Sequence, residues 1–521
     1  MRVTGTGHAG MLIETSAGTI LCDPWVNPAY FASWFPFPDN SGLDWDALGA
    51  CDYLYVSHLH RDHFDAENLR RHVSKKATVL LPAYPTSDLE DELRALGFRS
   101  FLRTRSGEPV TLDGGLTVMI QALVSPTDGP IGDSSIWVEH DGVRLLNQND
   151  ARPRDLSAFA ELGHVDAHLL QFSGAIWYPM VYELPAAAKR AFGKQKRERQ
   201  FDRTLRYITE LNASRVFPIA GPPCFLDDDL WGVNDLFGDE GNIFPDQQDF
   251  IEHYERLGHD NGVILLPGTT ATITPGACKV EQPVPDVPAF FAGKEEYLRA
   301  YQQRQRPVIE AEKAAWPHPE LDVLAALTDR VQPLMAQSEH IANGIGGPIR
   351  FDLTDDADEV VESIVFDFTA REIRAAGDER VRYRFRTRRT LIEHLLATGE
   401  TDWVNSLFLS CRFSAARIGQ YNEYLYTFFK CLDQDRLQYA EGWYAEQTTD
   451  VEDIVIGDWA VQGLCPHLKA NLERFGKLDG TVLTCQMHGW KFDLPTGRCV
   501  TSAGHPIRAR RVGEPQADAA G

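Results

Sequence analysis

The sequence predicts a multi-domain α/β chain in three parts: a layered α/β domain, a central α+β region and a small all-β domain at the C-terminus. Three observations predict it. The chain has 521 residues, more than one hydrophobic core fills. Short apolar runs of strand length alternate with helical patterns over the first half. From Arg436 onward that periodicity gives way to short strands and glycine turns.

The first domain is assigned to residues 1–275. GMLIET, TILCDPW, CDYLYVSHLH, ATVLLPA, LTVMIQAL, SIWVEH and VRLLNQND read as strands, and AENLRRHV and SDLEDELRALG as helices. LPGTTATITPGA reads as the closing strand and turn. Residues 276–350 open with the Pro-rich VEQPVPDVPAFF, a linker, and continue into packing helices in KEEYLRAYQQRQRPVIEAEKAAW. In residues 351–435, VVESIVFDFT and RVRYRFRT are strands and TLIEHLLATG and YNEYLYTFFKCL helices. Residues 436–521 form the β domain.

Hydrophobic content of 43% and charged content of 24% describe an ordinary globular protein. No stretch approaches the roughly 20 apolar residues of a membrane span. The opening MRVTGTGHAGMLIET lacks the features of a signal peptide, so a cytoplasmic location is expected, with no membrane partner. A net charge of −24 argues against nucleic acid and anionic membrane surfaces, though not against an anionic small molecule at a local basic patch. Nine dispersed cysteines read as reduced thiols.

The C-terminal domain contains Cys465-Pro-His467, seventeen intervening residues, and Cys485-Gln-Met-His488-Gly-Trp. Two thiolates and two imidazoles suit a [2Fe–2S] centre, with the histidines raising its reduction potential. Two cysteines and two histidines also suit structural zinc. The paired loops C-x-H and C-x-x-H-G-W resemble the Rieske family, in its ferredoxin and oxygenase branch, since neither loop has a second cysteine. The resemblance implies a one-electron carrier ligated by Cys465, His467, Cys485 and His488.

The segment YLYVSHLHRDHFD carries His58-x-His60-x-Asp62-His63 directly after an apolar strand. A strand end delivers His58 and His60 on one face, because side chains alternate with a period of two. Asp62 and His63, the catalytic candidates, follow toward a second position. The motif resembles the metallo-β-lactamase superfamily and implies an αββα domain. The opening GHAGMLIETSAGTILCDPW, with its leading Gly-His, is similar to members of the same superfamily. By the same resemblance DGVRLLNQNDARP is the later strand that ends in an acidic ligand, Asp150. Hydrolytic members add histidines in a middle loop and near the domain end. Here those places read VSPTDGPIGDSS and RVFPIAGPPCF, with Ala220-Gly221 in the second, which argues against a standard dinuclear zinc hydrolase. His168 reads as a strand residue with a structural role. His58, His60 and one carboxylate make a set with open positions that suits non-haem iron, one or two ions, in preference to zinc.

A hydrolase needs no electrons, whereas activating O2 at iron does. The expectation is therefore a Rieske-coupled non-haem iron monooxygenase. It hydroxylates or oxidises a polar, anionic small molecule, a sugar nucleotide or secondary metabolite. An external donor (a ferredoxin, a cytochrome or a flavin reductase) supplies electrons. The alternative is a metallo-β-lactamase-fold hydrolase with an accessory redox cluster. The chain resembles the CMP-N-acetylneuraminate monooxygenases (hydroxylases), also through LLQFSGAIWYPMVYELP and VFPIAGPPCFLDD, although in that family the Rieske domain comes first. Should the two centres lie far apart in one chain, a homo-oligomer would let a neighbouring subunit complete the pair.

Two basic clusters stand out. Lys189, Arg190, Lys194, Lys196, Arg197, Arg199, Arg203 and Arg206 follow FSGAIWYPM, with Arg199, Arg203 and Arg206 at helical spacing. Arg380, Arg382, Arg384 and Arg386 share one face of a strand in RVRYRFR. Arg199, Arg203, Arg382 and Arg384 are the substrate-binding candidates, since guanidinium suits phosphate and carboxylate. A solvated charged face is the competing explanation for each cluster.

Overall fold

Two β-sheets lie face to face in the first part of the chain. The first has eight strands, ordered Ala277–Glu281, Thr270–Thr274, Arg2–Gly7, Gly10–Thr15, Gly18–Cys22, Tyr53–Tyr55, Thr78–Leu81 and Ser100–Arg103. Its first five strands pair antiparallel and the rest parallel. Parallel pairing needs crossovers, and helices Ala66–Arg71 and Asp88–Ala95 carry two of them. The second sheet has six strands, ordered Arg215–Ile219, Ala167–Gln171, Val143–Asn149, Asp133–His140, Thr117–Leu123 and Val110–Thr111. The computed structural model describes residues 1–521 except 175, 447–451, 467–469, 488, 503–504 and 514–521.

Alternation along the strands fills the space between the sheets with Met11, Ile13, Ile20, Val118, Ile120, Ile136, Val138, Leu145 and Phe217. Outside the first sheet, Leu69, Leu89 and Leu93 pack from the two crossover helices. Outside the second, helix Ala186–Leu211 contributes Phe201, Tyr207 and Ile208, and helix Gln247–Arg256 contributes Phe250 and Tyr254. The layers are thus αββα. Strand Ala277–Glu281 pairs with Thr270–Thr274 through a turn at Gly276 (φ 77°), so the segment expected to open a linker extends the first sheet instead. The helix expected next spans Lys294–Ala314.

A third, five-stranded sheet is ordered Glu372–Ala375, Val360–Asp367, Pro348–Thr354, Tyr383–Arg388 and Phe413–Arg417. Helices Arg389–Thr398 and Glu423–Lys430 share its core, with Phe351, Phe366, Phe385, Phe408 and Phe429. Pairing with Ile349 and Arg417 begins at Tyr383. Arg380 and Arg382 therefore precede the strand, and the expected four-arginine face is a correction: only its Arg384 and Arg386 are on the strand, continued by Arg388. These are matched by acids: Arg384 pairs with Glu183, Arg386 with Asp358, and Arg388 with Asp229 and Asp356.

Two small antiparallel sheets form the C-terminal part, Asp453–Ile456 with Trp459–Gln462 and Ala509–Arg511, and Gly476–Asp479 with Val482–Cys485, Trp490–Asp493 and Arg498–Cys499. Their apolar interior is continuous with the outer layer of the second large sheet. Cys465, Cys485, Met487 and Trp490 belong to one buried cluster with Phe201 and Tyr207 of the long helix.

That helix is held against the backbone at Gly193, where a methyl group would run into the Gly241 carbonyl. Alanine in place of glycine normally stabilises a helix by about 1 kcal/mol. Here overpacking reverses the sign, and Gly193→Ala is expected to destabilise the protein by about 1–3 kcal/mol in chemical denaturation.

Candidate active site

Strand Tyr53–Tyr55 ends three residues before His58, so the period-two argument does not position the histidines. A turn does. The amides of His63 and Phe64 both donate to the His60 carbonyl, at 2.9 and 2.7 Å. His58 Nε2 and His60 Nδ1 then lie 2.7 Å apart. Asp150 follows strand Val143–Asn149 of the second sheet, and its carboxylate joins them: one ligand atom from each of His58, His60 and Asp150 lies within 4.8 Å of the others.

A second set of the same composition faces the first. His8, Asp62 and His63 also offer ligand atoms within 4.8 Å of one another. His8 stands in the tight turn between strands Arg2–Gly7 and Gly10–Thr15 with φ 52°, and its Nε2 is 2.9 Å from Asp62 Oδ2. It was not selected from the sequence as a site residue; the signal was the Gly-His of the opening segment. His63 Nε2 is 3.6 Å from Asp150 Oδ2 and 3.7 Å from Asp62 Oδ2, so His63 stands between two carboxylates.

The rear nitrogens of the imidazoles are occupied. His58 Nδ1 lies 3.3 Å from Asp133 Oδ1 and 2.9 Å from Ser57 Oγ, and His63 Nδ1 lies 3.0 Å from Asp23 Oδ2. His60 Nε2 lies 2.8 Å from Asn405 Oδ1, and the Asn405 amide donates from Nδ2 to Asp402 Oδ2 at 2.8 Å, which fixes its carbonyl toward the ring. Asn405 sits in a π-helical turn, Val404–Phe408, a local geometry that is frequent at functional sites. Such outer acceptors set the tautomer and leave the forward nitrogen free for a cation.

The forward atoms fit a metal. His63 Nε2 and Asp150 Oδ1 are buried without a hydrogen-bond partner among the described residues. Burial holds His58 well below the usual imidazole range, with His63 and His60 adding to the effect, so it is neutral and able to ligate. At His63 burial works in the same direction, but Asp150, Asp23 and Asp62 outweigh it and raise the imidazole well above its ordinary value. The pocket therefore favours positive charge. Tyr30 closes one side, donating from Oη to Asp62 Oδ1 at 2.5 Å. Tyr30, Phe31 and Ala32 are all left-handed (φ 53°, 59° and 50°), a conformation costing on the order of 1–2 kcal/mol per residue. Arg412 holds that run, donating to the Phe31 and Ala32 carbonyls at 3.1 and 3.2 Å while pairing with Asp227 at 2.7 Å.

His168 is apart from this cage, on strand Ala167–Gln171, with Nε2 2.9 Å from Gln148 Oε1. Among the substrate candidates, Arg199 and Arg203 lie on helix Ala186–Leu211, and the buried Arg203 senses the Asp150 carboxylate. Arg382 and Arg384 belong to the third sheet and its approach, where Arg384 is committed to Glu183. Cys465 and Cys485 are fully buried at the two C-terminal loops; His467 and His488 lie outside the described residues.

Residues 441–508 match the Rieske [2Fe-2S] domain, and residues 323–446 the Rv3818-like, SCP2-like domain. A protein of Mycolicibacterium smegmatis named as a Rieske 2Fe-2S iron-sulfur protein is 52% identical over 520 residues, 98% of this chain and 100% of that one. The chain belongs to this Rieske iron-sulfur protein family. It carries the family's [2Fe–2S] cluster, as the paired Cys and His loops implied. The cytidine monophosphate-N-acetylneuraminic acid hydroxylase of Danio rerio is 26% identical over 228 residues, 41% of this chain and 37% of the hydroxylase. Solved structures similar to the chain include Igni18, a metallo hydrolase of Ignicoccus hospitalis, at 18% identity and TM-score 0.35, covering 54% of this chain and 98% of that one. Another is CmlA, a diiron β-hydroxylase of Streptomyces venezuelae, at 16% identity and TM-score 0.34, covering 54% of each chain. Among the described residues no helix is long and apolar enough to cross a membrane.

Asn405→Ala is expected to weaken metal binding by about 10–100-fold while leaving the fold intact, measured by chelator competition alongside thermal unfolding. A second expectation concerns pH. Burial pushes the His168 imidazole down to about 3, below its unfolded value of about 6.5. The unfolded chain then takes up a proton that the folded chain refuses. Stability falls by a few kcal/mol as pH drops from about 6.5 toward about 3. Denaturation midpoints followed against pH should lose that slope in His168→Asn.

Proposed function

We propose that this chain is a Rieske-coupled non-haem iron monooxygenase that hydroxylates or oxidises a polar, anionic small molecule. One observation carries the reading: two histidines paired with one carboxylate, twice over, in His58, His60, Asp150 and in His8, His63, Asp62. Sets of this composition leave coordination positions open, which suits iron and O2. When bound, iron there supplies O2 activation, and the [2Fe–2S] cluster supplies single electrons.

The chain's own residues hold and orient. Asp23, Asp133 and Asn405 aim the imidazoles. Asp62, bracketed by Tyr30 Oη and His8, keeps its carboxylate toward the pocket. Buried Trp25 and Tyr30 line the approach of His8 and Asp62 and exclude water from them. One side chain joins the two halves of the machinery. Tyr207 Oη donates to the Pro153 carbonyl at 2.9 Å and lies 4.0 Å from Met487 Sδ. Pro153 is three residues after Asp150 and Met487 immediately precedes His488. That link supports a partnership of cluster and iron inside one chain, with a ferredoxin, cytochrome or flavin reductase as external donor.

Anaerobically purified protein is expected to contain three to four irons per chain, about two of them in the cluster. It should take up O2 when a reductant is supplied. His58→Ala with His60→Ala should lose the additional iron and the uptake, and Cys485→Ser the uptake. Zinc in the His–Asp cage, with hydrolysis that persists without O2 in Cys485→Ser, would replace this reading by the hydrolase.

A further inference from the structure

Helix Ala186–Leu211 treats its cations in two different ways. Near its start they are neutralised. Arg190 pairs with Asp239, Lys194 with Glu240, and Arg197 with Asp235 and Asp249. On the face that turns toward the Rieske loops and Asp150, Lys196, Arg199, Arg203 and Arg206 have no carboxylate within ion-pair distance among the described residues. Neither has Arg152, which follows Asp150 by two positions.

These five cations converge. The Arg152 guanidinium donates to Gln171 Oε1 at 3.1 Å and lies 3.0 Å from where a Cβ at Gly174 would stand. The Arg199 guanidinium presses against Gly489 of the second Rieske loop, where a Cβ would meet its Nη1 at 3.1 Å. Lys196 stands over the Tyr178 ring, 5.7 Å from its centre. Arg203 is only 8% exposed, yet its Nη2 is buried without a partner, as are Arg152 Nε and Arg206 Nη1. Buried guanidinium nitrogens left unpaired are costly, and guanidinium suits oxyanions with two-point contacts. Burial and the neighbouring Arg152, Arg203 and Arg199 push Lys196 down to about 7. Burial, with Arg152, also pushes Arg203 down to about 9. Both shifts mark positive charge crowded without its counter-charge.

We infer that Arg152, Lys196 and Arg203, with Arg199 at the Rieske loop, form a binding site for a multiply charged oxyanion, the phosphate or carboxylate of the substrate, between the His–Asp cage and the cluster loops. The site deepens the monooxygenase reading and rests on it for the word substrate. It assigns Arg152 and Lys196, and it divides one helix into a structural and a binding half. Glycine at 174 and 489 leaves room for the guanidinium groups, since a side chain at either position would displace one.

Holoprotein titrated with inorganic phosphate, and separately with malonate, tests it by calorimetry. Saturable binding is expected for at least one of them, weakened about tenfold in Arg203→Gln and in Lys196→Gln. Arg190→Gln, on the paired half of the helix, should bind as the unaltered protein does. The EPR signal of the reduced cluster confirms that each variant is folded. Tighter phosphate assigns a phosphate ester and tighter malonate a carboxylic acid, and either supports the site. Absence of binding tighter than about 10 mM, or equal binding in the variants, overturns it. So does a shifted cluster midpoint potential in the variants without any anion binding, since the cations would then serve the cluster. Iron content and O2 uptake are read separately, so a protein that passes those and binds neither anion loses this inference alone.

Discussion

The Asp23 carboxylate is fully buried, accepts the Ser57 amide and hydroxyl at 2.7 Å each, and lies 3.0 Å from His63 Nδ1. A polar group buried this deeply is costly unless it is given hydrogen-bond partners. The partners it takes are the loop that follows strand Tyr53–Tyr55. Ser57 Oγ, held by Asp23, reaches His58 Nδ1 at 2.9 Å. One carboxylate therefore aims two imidazoles, and their forward nitrogens have nowhere to point except into the pocket with Asp62 and Asp150. Strain at Asp23 (φ 40°) and His8 (φ 52°) is tolerated because this network over-determines both positions.

The pocket is completed from outside its own sandwich. Asn405, Arg412, Lys430 and Arg436 all come from the segment that matches the SCP2-like domain. Asn405 takes His60, and Arg412 secures the left-handed run that delivers Tyr30 to Asp62. Lys430 donates to the Gly129 carbonyl at 2.6 Å, and Arg436 joins Asp88 of the sandwich to Asp402. Asp402 in turn orients Asn405. This unit is bonded into the cage it covers, and a sandwich without it would lose the outer partner of one histidine and the brace of one tyrosine. The central region of such a chain is part of the site, even though no motif marks it.

What was legible followed from local signals. Alternating strands, amphipathic helices and the two Cys-and-His loops can be read because each is set by neighbours within a few residues. His58, His60, Asp62 and His63 were visible together because one turn carries them. Less could be read wherever the deciding partner is distant in sequence. His8 reaches the cage by folding of the first hairpin, and Asn405 lies 345 residues from the ring it orients. Residues 277–281 carry a Pro-free strand pattern, but the proline-rich run after them dominated the composition. Arg380 and Arg382 fit a period of two, and only the register with Pro348–Thr354 reveals that the strand starts after them. Among the basic residues on the long helix, sequence could not separate paired from unpaired, since Asp235, Asp239 and Glu240 approach from another loop.

The place of the Rieske loops is decided by packing and not by chain order. In this chain the Rieske match, residues 441–508, comes after the sandwich and the SCP2-like segment. A tethered domain can sit anywhere its linker reaches, so order alone predicts nothing about contact. The long helix supplies the missing constraint. Phe201 and Tyr207 share a buried apolar cluster with Cys465, Cys485 and Met487, and Arg474 of the cluster domain pairs with Glu210 at its end. The same helix packs on strand Ala167–Gln171, where Thr204 donates to the Gln171 carbonyl at 3.0 Å, beside strand Val143–Asn149, which Asp150 follows. One helix thus fixes the cluster loops and the His–Asp cage against each other.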